Sequence, residues 1–168
     1  MKYTILDTGI FVSSIQLEVM KRKATQGSAI FNPNAKRLQK VIKGRDETIR
    51  KLVDFLTSKG FLNGRKIGTI AILHSKPGCK RQQWHTDYDP DLCDIAKVKP
   101  MGVIFALENS TYFNTKSRRI VLKKGQVLIF DGDMVHAGSA YEKENTRMHI
   151  YLDSEEVPRR RNKTYLVQ

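Results

Sequence analysis

The chain has 168 residues, of which 40% are hydrophobic and 28% charged, a composition typical of one folded domain and not of a disordered chain. No apolar run approaches the roughly 18 residues of a membrane-spanning helix, and the N-terminus lacks the apolar stretch of a secretory signal. Cys79 and Cys93 do not make a disulfide framework, and neither has the short-spaced partner typical of zinc sites. We therefore expect one intracellular domain, cytoplasmic or nuclear, with reduced thiols and no membrane partner.

The net charge of +13 is unevenly distributed, with +9 in residues 1–66, +2 in residues 67–153 and +2 in residues 154–168. An excess of this kind favours an acidic partner or substrate, nucleic acid included. A solvated surface that only aids solubility explains the same charge equally well. The sequence leaves both interpretations open.

In chain order, the first periodic segment runs from Asn34 to Leu62. Its apolar residues have the spacing of one buried helix face: Leu38, Val41, Ile42, Ile49, Leu52, Val53 and Leu56. We predict two helices that meet at Gly44, the second capped by Asp46 and ended by Gly60. The opposite face carries basic residues, namely Lys36, Lys40, Lys43, Arg50, Lys51 and Lys59. Residues 1–66 are thus interpreted as a basic helical N-terminal part.

After Gly64 the pattern changes to short runs typical of β-strands, separated by turn signals. The predicted strands are Ile67 to His74, Met101 to Leu107, Arg118 to Leu122, Gln126 to Phe130 and Thr146 to Leu152. They predict an α+β fold in which residues 67–153 form an antiparallel sandwich or jelly roll and the N-terminal helices pack on one sheet. Residues 154–168 form a basic tail that we expect to be at least partly exposed.

A histidine, a carboxylate and a second histidine suggest a metal site. His85 lies two residues before Asp87 in QQWHTDYDP, and His136 follows a predicted strand in DGDMVHAGS. Two imidazoles and one carboxylate bind one face of a ferrous ion and leave three positions open. The H-x-D tripeptide alone is weak support, because it recurs by chance.

Arg147 strengthens this interpretation, because it lies 11 residues after His136 on the next predicted strand. Its planar guanidinium suits a bidentate grip on a carboxylate. Together, HTD (85–87) and KKGQVLIFDGDMVHAGSAYEKENTRMHIY (123–151) resemble the iron(II)- and 2-oxoglutarate-dependent oxygenases. Within that superfamily, these segments and SKPGCKRQQWHTD are most similar to the phytanoyl-CoA hydroxylase-like branch. The resemblance covers roughly residues 67–153, and we recognise no family in residues 1–66.

The resemblance implies a double-stranded β-helix in which His85, Asp87 and His136 bind Fe(II). It also implies that Arg147 holds the far carboxylate of 2-oxoglutarate, with dioxygen as the other co-substrate. The reaction would hydroxylate or oxidatively demethylate a substrate and release succinate and CO2. His149 shares a strand face with Arg147 and either contacts the same carboxylate or is a structural core residue.

The substrate is not implied by the resemblance. The segment ENSTYFNTKS between Leu107 and Arg118 is shorter than the substrate-covering insertion of the longer relatives, so a fatty acyl-CoA substrate does not follow. Two other function classes stay open: a cupin-like metal-binding or inactive relative, and a basic nucleic-acid-binding module whose histidines are structural. Succinate release would distinguish the oxygenase from both.

Overall fold

The structure is a computed structural model that describes residues 2–30, 36–44, 46–160 and 164–167. In chain order its elements are β1 (Tyr3–Asp7), α1 (Ser14–Thr25), β2 (Ser28–Ala29), β3 (Arg37–Val41), α2 (Glu47–Ser58), β4 (Arg65–Ser75), β5 (His85–Thr86), α3 (Pro90–Ile95), β6 (Met101–Ala106), β7 (Thr111–Thr115), β8 (Arg119–Leu122), β9 (Gln126–Asp131), β10 (His136–Gly138), β11 (Asn145–Ser154) and β12 (Tyr165–Leu166). Within these residues, no helix is both long enough and apolar enough to cross a membrane.

The strands form two antiparallel sheets, as expected for a jelly roll. The larger sheet has the order β1-β9-β6-β11-β4-β3-β2, and the smaller has the order β12-β5-β10-β7-β8. Side chains alternate between the two faces of each strand. On β11, Met148 and Ile150 belong to the core that includes α1 and α2, whereas Arg147 and His149 line a cavity on the opposite face. The predicted α+β architecture, with helices packed on one sheet, is confirmed.

Local sequence signals explain both N-terminal helices. Ser13 caps α1 in a capping box with Gln16, and Asp46 caps α2 by accepting a hydrogen bond from the Ile49 amide at 3.0 Å. Gly60 follows α2 with φ +77°, a conformation that glycine adopts readily. The predicted second helix is therefore confirmed, whereas α1 was not anticipated.

The first predicted helix, before Gly44, is wrong where the structure describes it, because residues 37–41 form strand β3. They pair antiparallel with β4, from Arg37 opposite Ser75 to Val41 opposite Ala71. This ladder satisfies the backbone hydrogen bonds that a helix would otherwise satisfy internally. Residues 34 and 35 of the same prediction lie outside the described residues. Together, β1, β2 and β3 make the N-terminal part more than a helical attachment, since all three join the larger sheet.

The five predicted strands are confirmed within one or two residues at each end, as β4, β6, β8, β9 and β11. The segment treated as a plain connection between residues 107 and 118 contains a further strand, β7, which pairs with β8 and β10. The C-terminal segment also contains a strand: β12 pairs with β5, with Leu166 opposite His85. Cys79 and Cys93 are buried free thiols, as expected.

Candidate metal centre and its cavity

The two histidines and the aspartate meet at the centre of the smaller sheet. His85 on β5 and His136 on β10 are directly paired across neighbouring strands, and Asp87 follows β5. Asp87 Oδ1 lies 3.9 Å from His85 Nε2 and 3.7 Å from His136 Nε2. The three ligand atoms all lie within 4.8 Å of one another, and the three residues are no more than 5% exposed.

Backbone carbonyls fix the orientation of both imidazoles. The Nδ1 atoms of His85 and His136 lie 2.8 Å from the carbonyl oxygens of Gln83 and Met134, respectively. A proton on Nδ1 that is donated to a carbonyl places the lone pair of a neutral imidazole on Nε2, the nitrogen nearer Asp87. This is the usual arrangement around metal-binding histidines, whose second nitrogen is held by a neighbouring acceptor.

The protonation states of Asp87 and His136 also suit a bound cation. Burial acts to raise the pKa of the Asp87 carboxyl, but the imidazoles of His136, His149 and His85 outweigh it and hold that pKa well below its usual range. Burial lowers the pKa of His136 to about 4, so its imidazole is neutral near pH 7. An ionised carboxylate beside a neutral imidazole is the form in which both groups bind a metal.

One carboxylate oxygen of Asp87 also favours a bound cation. Among the described residues, Asp87 Oδ2 is buried without a hydrogen-bond partner, although His149 Nε2, equally without one, lies only 3.3 Å away. A buried carboxylate oxygen without a partner is costly, and a cation bound by the carboxylate removes that cost. The donor set of two imidazole nitrogens and a carboxylate therefore fits a divalent ion such as Fe(II).

Arg147 is a buried cation on the larger sheet, in the wall of the same cavity. Only 3% exposed, it donates from Nη1 to Ser75 Oγ at 3.1 Å and to Asn145 Oδ1 at 3.4 Å, and its guanidinium lies 5.1 Å from the centre of the Tyr141 ring. Among the described residues, no aspartate or glutamate forms an ion pair with it. Since an unpaired buried charge is costly, this arrangement favours an anionic ligand.

No protein-family model and no curated protein matches the sequence. Solved structures do match. The viral collagen prolyl hydroxylase vCPH of Paramecium Bursaria Chlorella virus-1, solved as a 2-oxoglutarate complex, is similar over 92% of this chain and 96% of its own, with TM-score 0.64 and 19% identity.

Two further solved structures share this fold. A Pseudomonas putida prolyl-4-hydroxylase gives TM-score 0.66 and 12% identity, with 92% of this chain and 93% of that chain covered. The epimerase SnoN, solved with Fe3+, alpha-ketoglutarate and nogalamycin RO, gives TM-score 0.70 and 10% identity, with 96% and 82% covered. The chain has the fold of the iron- and 2-oxoglutarate-dependent oxygenases. The finer resemblance to the phytanoyl-CoA hydroxylase-like branch stays a prediction.

In this oxygenase fold, His149 lies beside the candidate metal ligands. Its Nε2 atom is the one 3.3 Å from Asp87 Oδ2, and its ring centre lies 4.2 Å from that of Tyr151. The contact between His149 and 2-oxoglutarate stays a prediction, as does the alternative of a structural core histidine. His74, interpreted from the sequence as structural, is buried with Nδ1 3.0 Å from Thr146 Oγ1 and does not line the cavity.

The cavity has a volume of about 1050 Å³ and is lined by residues that the sequence analysis did not single out. The residues in its wall with polar side chains include Arg37, Gln82, Tyr112 and Arg159. Asp153 also lines it, but the carboxylate is engaged, since Oδ1 accepts hydrogen bonds from Tyr88 Oη at 2.7 Å and Arg159 Nε at 3.3 Å. Only the alternation along β3 would have pointed to Arg37 from the sequence, and that segment has helical spacing as well.

The basic residues of the N-terminal part do not all lie near the cavity. Lys40 and Lys43 line it, whereas Lys36 and Lys51 do not. The ammonium of Lys51 pairs with Glu47 at 2.7 Å on the exposed side of α2. Of these four lysines, only Lys40 and Lys43 thus border the cavity.

Proposed function

We propose that the protein is an Fe(II)- and 2-oxoglutarate-dependent dioxygenase that hydroxylates, or oxidatively demethylates, a substrate with release of succinate and CO2. The observation that carries the proposal is one cavity lined by two complementary groups. One is the buried set of His85, Asp87 and His136, which could hold Fe(II). The other is the buried guanidinium of Arg147, which no described aspartate or glutamate neutralises and which suits the far carboxylate of 2-oxoglutarate.

The chain's own residues would bind the metal ion and 2-oxoglutarate, orient them and exclude water from the cavity. His85 and His136 present Nε2 because their Nδ1 atoms are held by carbonyls, and Asp87 supplies the negative charge. Ser75 and Asn145 hold the Arg147 guanidinium, so its remaining donors are already oriented before a carboxylate arrives. When bound, Fe(II), 2-oxoglutarate and dioxygen together supply the oxidation of a substrate C–H bond.

The type of reaction depends on how the substrate lies against the metal centre. The similar structures include both prolyl hydroxylases and an epimerase, so one fold accommodates different reactions. For this chain, Lys40 and Lys43 at the cavity support an acidic substrate, nucleic acid included. The substrate therefore has to be found by screening.

The test measures 2-oxoglutarate binding and its turnover separately. The purified protein with Fe(II) should bind 2-oxoglutarate under anaerobic conditions and form succinate when oxygen is admitted. Asp87→Ala should abolish succinate formation, and a screen for compounds that accelerate it in the parent would identify the substrate. A parent protein that binds iron but not 2-oxoglutarate would instead support the metal-binding or inactive relative. Nucleic-acid binding that survives Asp87→Ala as the protein's only activity would support the binding module.

A further inference from the structure

Arg37 is a second buried guanidinium in the cavity, and nothing in the metal motif accounts for it. It is only 2% exposed and lies on β3, the strand that extends the larger sheet beyond β4. Strand pairing puts Arg37 opposite Ser75 on β4, and Asn145 of β11 faces Ser75 from the other side. Because neighbouring strands lie about 4.8 Å apart, the three residues form one row across the sheet.

The guanidinium of Arg147 reaches this same row. Its Nη1 donates to Ser75 Oγ at 3.1 Å and to Asn145 Oδ1 at 3.4 Å. Both arginines line the one cavity, and the charge of Arg147 acts together with burial to lower the pKa of Arg37. Two like charges thus share a buried space, an arrangement that is unfavourable without an anion between or beside them.

The cavity wall holds Arg37 without neutralising it. Its Nη2 atom donates to Cys79 Sγ at 3.3 Å, to the Lys80 carbonyl at 3.2 Å and to the Ser139 carbonyl at 2.6 Å. Across the described residues, no carboxylate pairs with Arg37. These neutral acceptors fix one side of the guanidinium, whereas Nε and Nη1 make no hydrogen bond to any described residue.

Gly138 makes room for this position. A Cβ atom at residue 138 would lie 1.8 Å from Arg37 Nη1 and 2.1 Å from Gln82 Oε1, so any larger residue there would displace the guanidinium together with the Gln82 amide. Gly138 belongs to β10, two residues after His136, which places Arg37 against the strand of a metal ligand. The wall therefore holds the Arg37 guanidinium against the strand that carries a metal ligand, in the cavity that Arg147 also lines.

We propose that Arg37 is a second anchor for the far carboxylate of 2-oxoglutarate and acts together with Arg147. The inference rests on the proposed function and adds to it a residue from the N-terminal part, outside the segment that carries the oxygenase resemblance. Two guanidiniums around one carboxylate select for a dicarboxylic 2-oxo acid over one without the second carboxylate. Arg37 thereby sets co-substrate specificity.

The experiment compares two probes, 2-oxoglutarate and 2-oxobutyrate, a 2-oxo acid without the far carboxylate. Their dissociation constants are measured by anaerobic equilibrium dialysis with Fe(II) and the full chain. Arg37→Met should raise the constant for 2-oxoglutarate about tenfold or more, the effect of losing one charge-assisted hydrogen bond, and leave that for 2-oxobutyrate unchanged. Arg37→Lys should have a smaller effect, and exposed Arg50→Met should have none.

An equal loss of affinity for both probes in Arg37→Met, or no loss for either, would overturn the role of Arg37. A purely structural arginine would not discriminate between 2-oxoglutarate and 2-oxobutyrate. Should Arg37→Met fail to fold, Gly138→Ala displaces the same guanidinium and should give the same selective loss. A Gly138→Ala protein that is folded and keeps full preference for 2-oxoglutarate would also contradict the inference. If the parent protein binds no 2-oxoglutarate, the proposed function itself is refuted. If the parent binds 2-oxoglutarate and Arg37→Met binds it equally well, only the role of Arg37 as second anchor is refuted.

Discussion

Replacing Arg147 tests the link between the buried cation and the co-substrate most directly. Arg147→Met removes the guanidinium but leaves an unbranched apolar side chain of similar length in the cavity wall. Arg147→Lys keeps the positive charge and loses the planar pair of donors. Neither change touches His85, Asp87 or His136, so the metal centre should be preserved.

The expected magnitude follows from the hydrogen bonds that a carboxylate would lose. One hydrogen bond to a charged group contributes about 1.5–3 kcal/mol. Arg147→Lys, which loses one of two such bonds, should therefore weaken 2-oxoglutarate binding by about tenfold to a hundredfold. Arg147→Met loses both and should weaken it by at least about a hundredfold.

The assay is anaerobic equilibrium binding of 2-oxoglutarate in the presence of Fe(II), with iron content measured on the same samples. Arg50→Met, on the exposed side of α2, is the matched control and should change neither quantity. Iron stoichiometry should stay at the parent value in all three variants. If Arg147→Met binds 2-oxoglutarate as tightly as the parent, Arg147 is not the anchor and the reasoning from its missing acidic partner is refuted.

Three further predictions concern the metal, the basic surface and the helix cap. Asp87→Ala should remove most bound iron, as measured by metal analysis of the purified, folded variant, because the charged ligand is lost. Lys40→Glu combined with Lys43→Glu should weaken binding of a polyanion such as single-stranded nucleic acid, and the parent's affinity should fall steeply with salt as counterions are released. Asp46→Ala should lower the free energy of unfolding by about 1 kcal/mol in denaturant titrations, because α2 loses its cap.

Each of the three has a matched control. Asp54→Ala removes an exposed carboxylate and should leave iron content unchanged; equal iron in Asp87→Ala would refute the ligand assignment. Replacing the exposed Lys116 and Lys123 by glutamate should weaken polyanion binding less than replacing Lys40 and Lys43 does. If the parent protein shows no measurable polyanion binding at low salt, the positive charge serves solubility instead. Asp46→Asn keeps a capping side chain and should retain most of the stability that alanine loses.

The sequence predicted the parts of the fold and site that have local signals. Asp46 and Gly60 mark the ends of α2, and uninterrupted apolar runs mark β6 and β9. The histidines and Asp87 are brought together by pairing of β5 with β10 across about fifty residues of chain. β5 and β10 have only two and three residues, too few for a recognisable strand pattern. The prediction that His85, Asp87 and His136 meet therefore rested on the spacing of these residues and on the family resemblance.

The missed features depend on tertiary contacts. On β3, Arg37 and Gln39 face the cavity, so the strand has polar residues where an ordinary buried face has apolar ones. Leu38 and Val41 then fit helical spacing as well as they fit a strand. In the same way, β7 was treated as a connection, because nothing local shows that β8 and β10 lie on either side of it.

The position of β3 near the edge of the larger sheet has a consequence for the dynamics of the anion site. In the described part of the chain, the sheet continues beyond β3 only with the two residues of β2, and Lys40 and Val41 are exposed. Short, exposed edge pairings open at a lower free energy than central strands. Every opening of β3 would carry Arg37 away from the cavity, so a bound carboxylate should slow amide hydrogen exchange at residues 37–41. The rate of amide exchange in β3 would then report whether a carboxylate occupies the cavity.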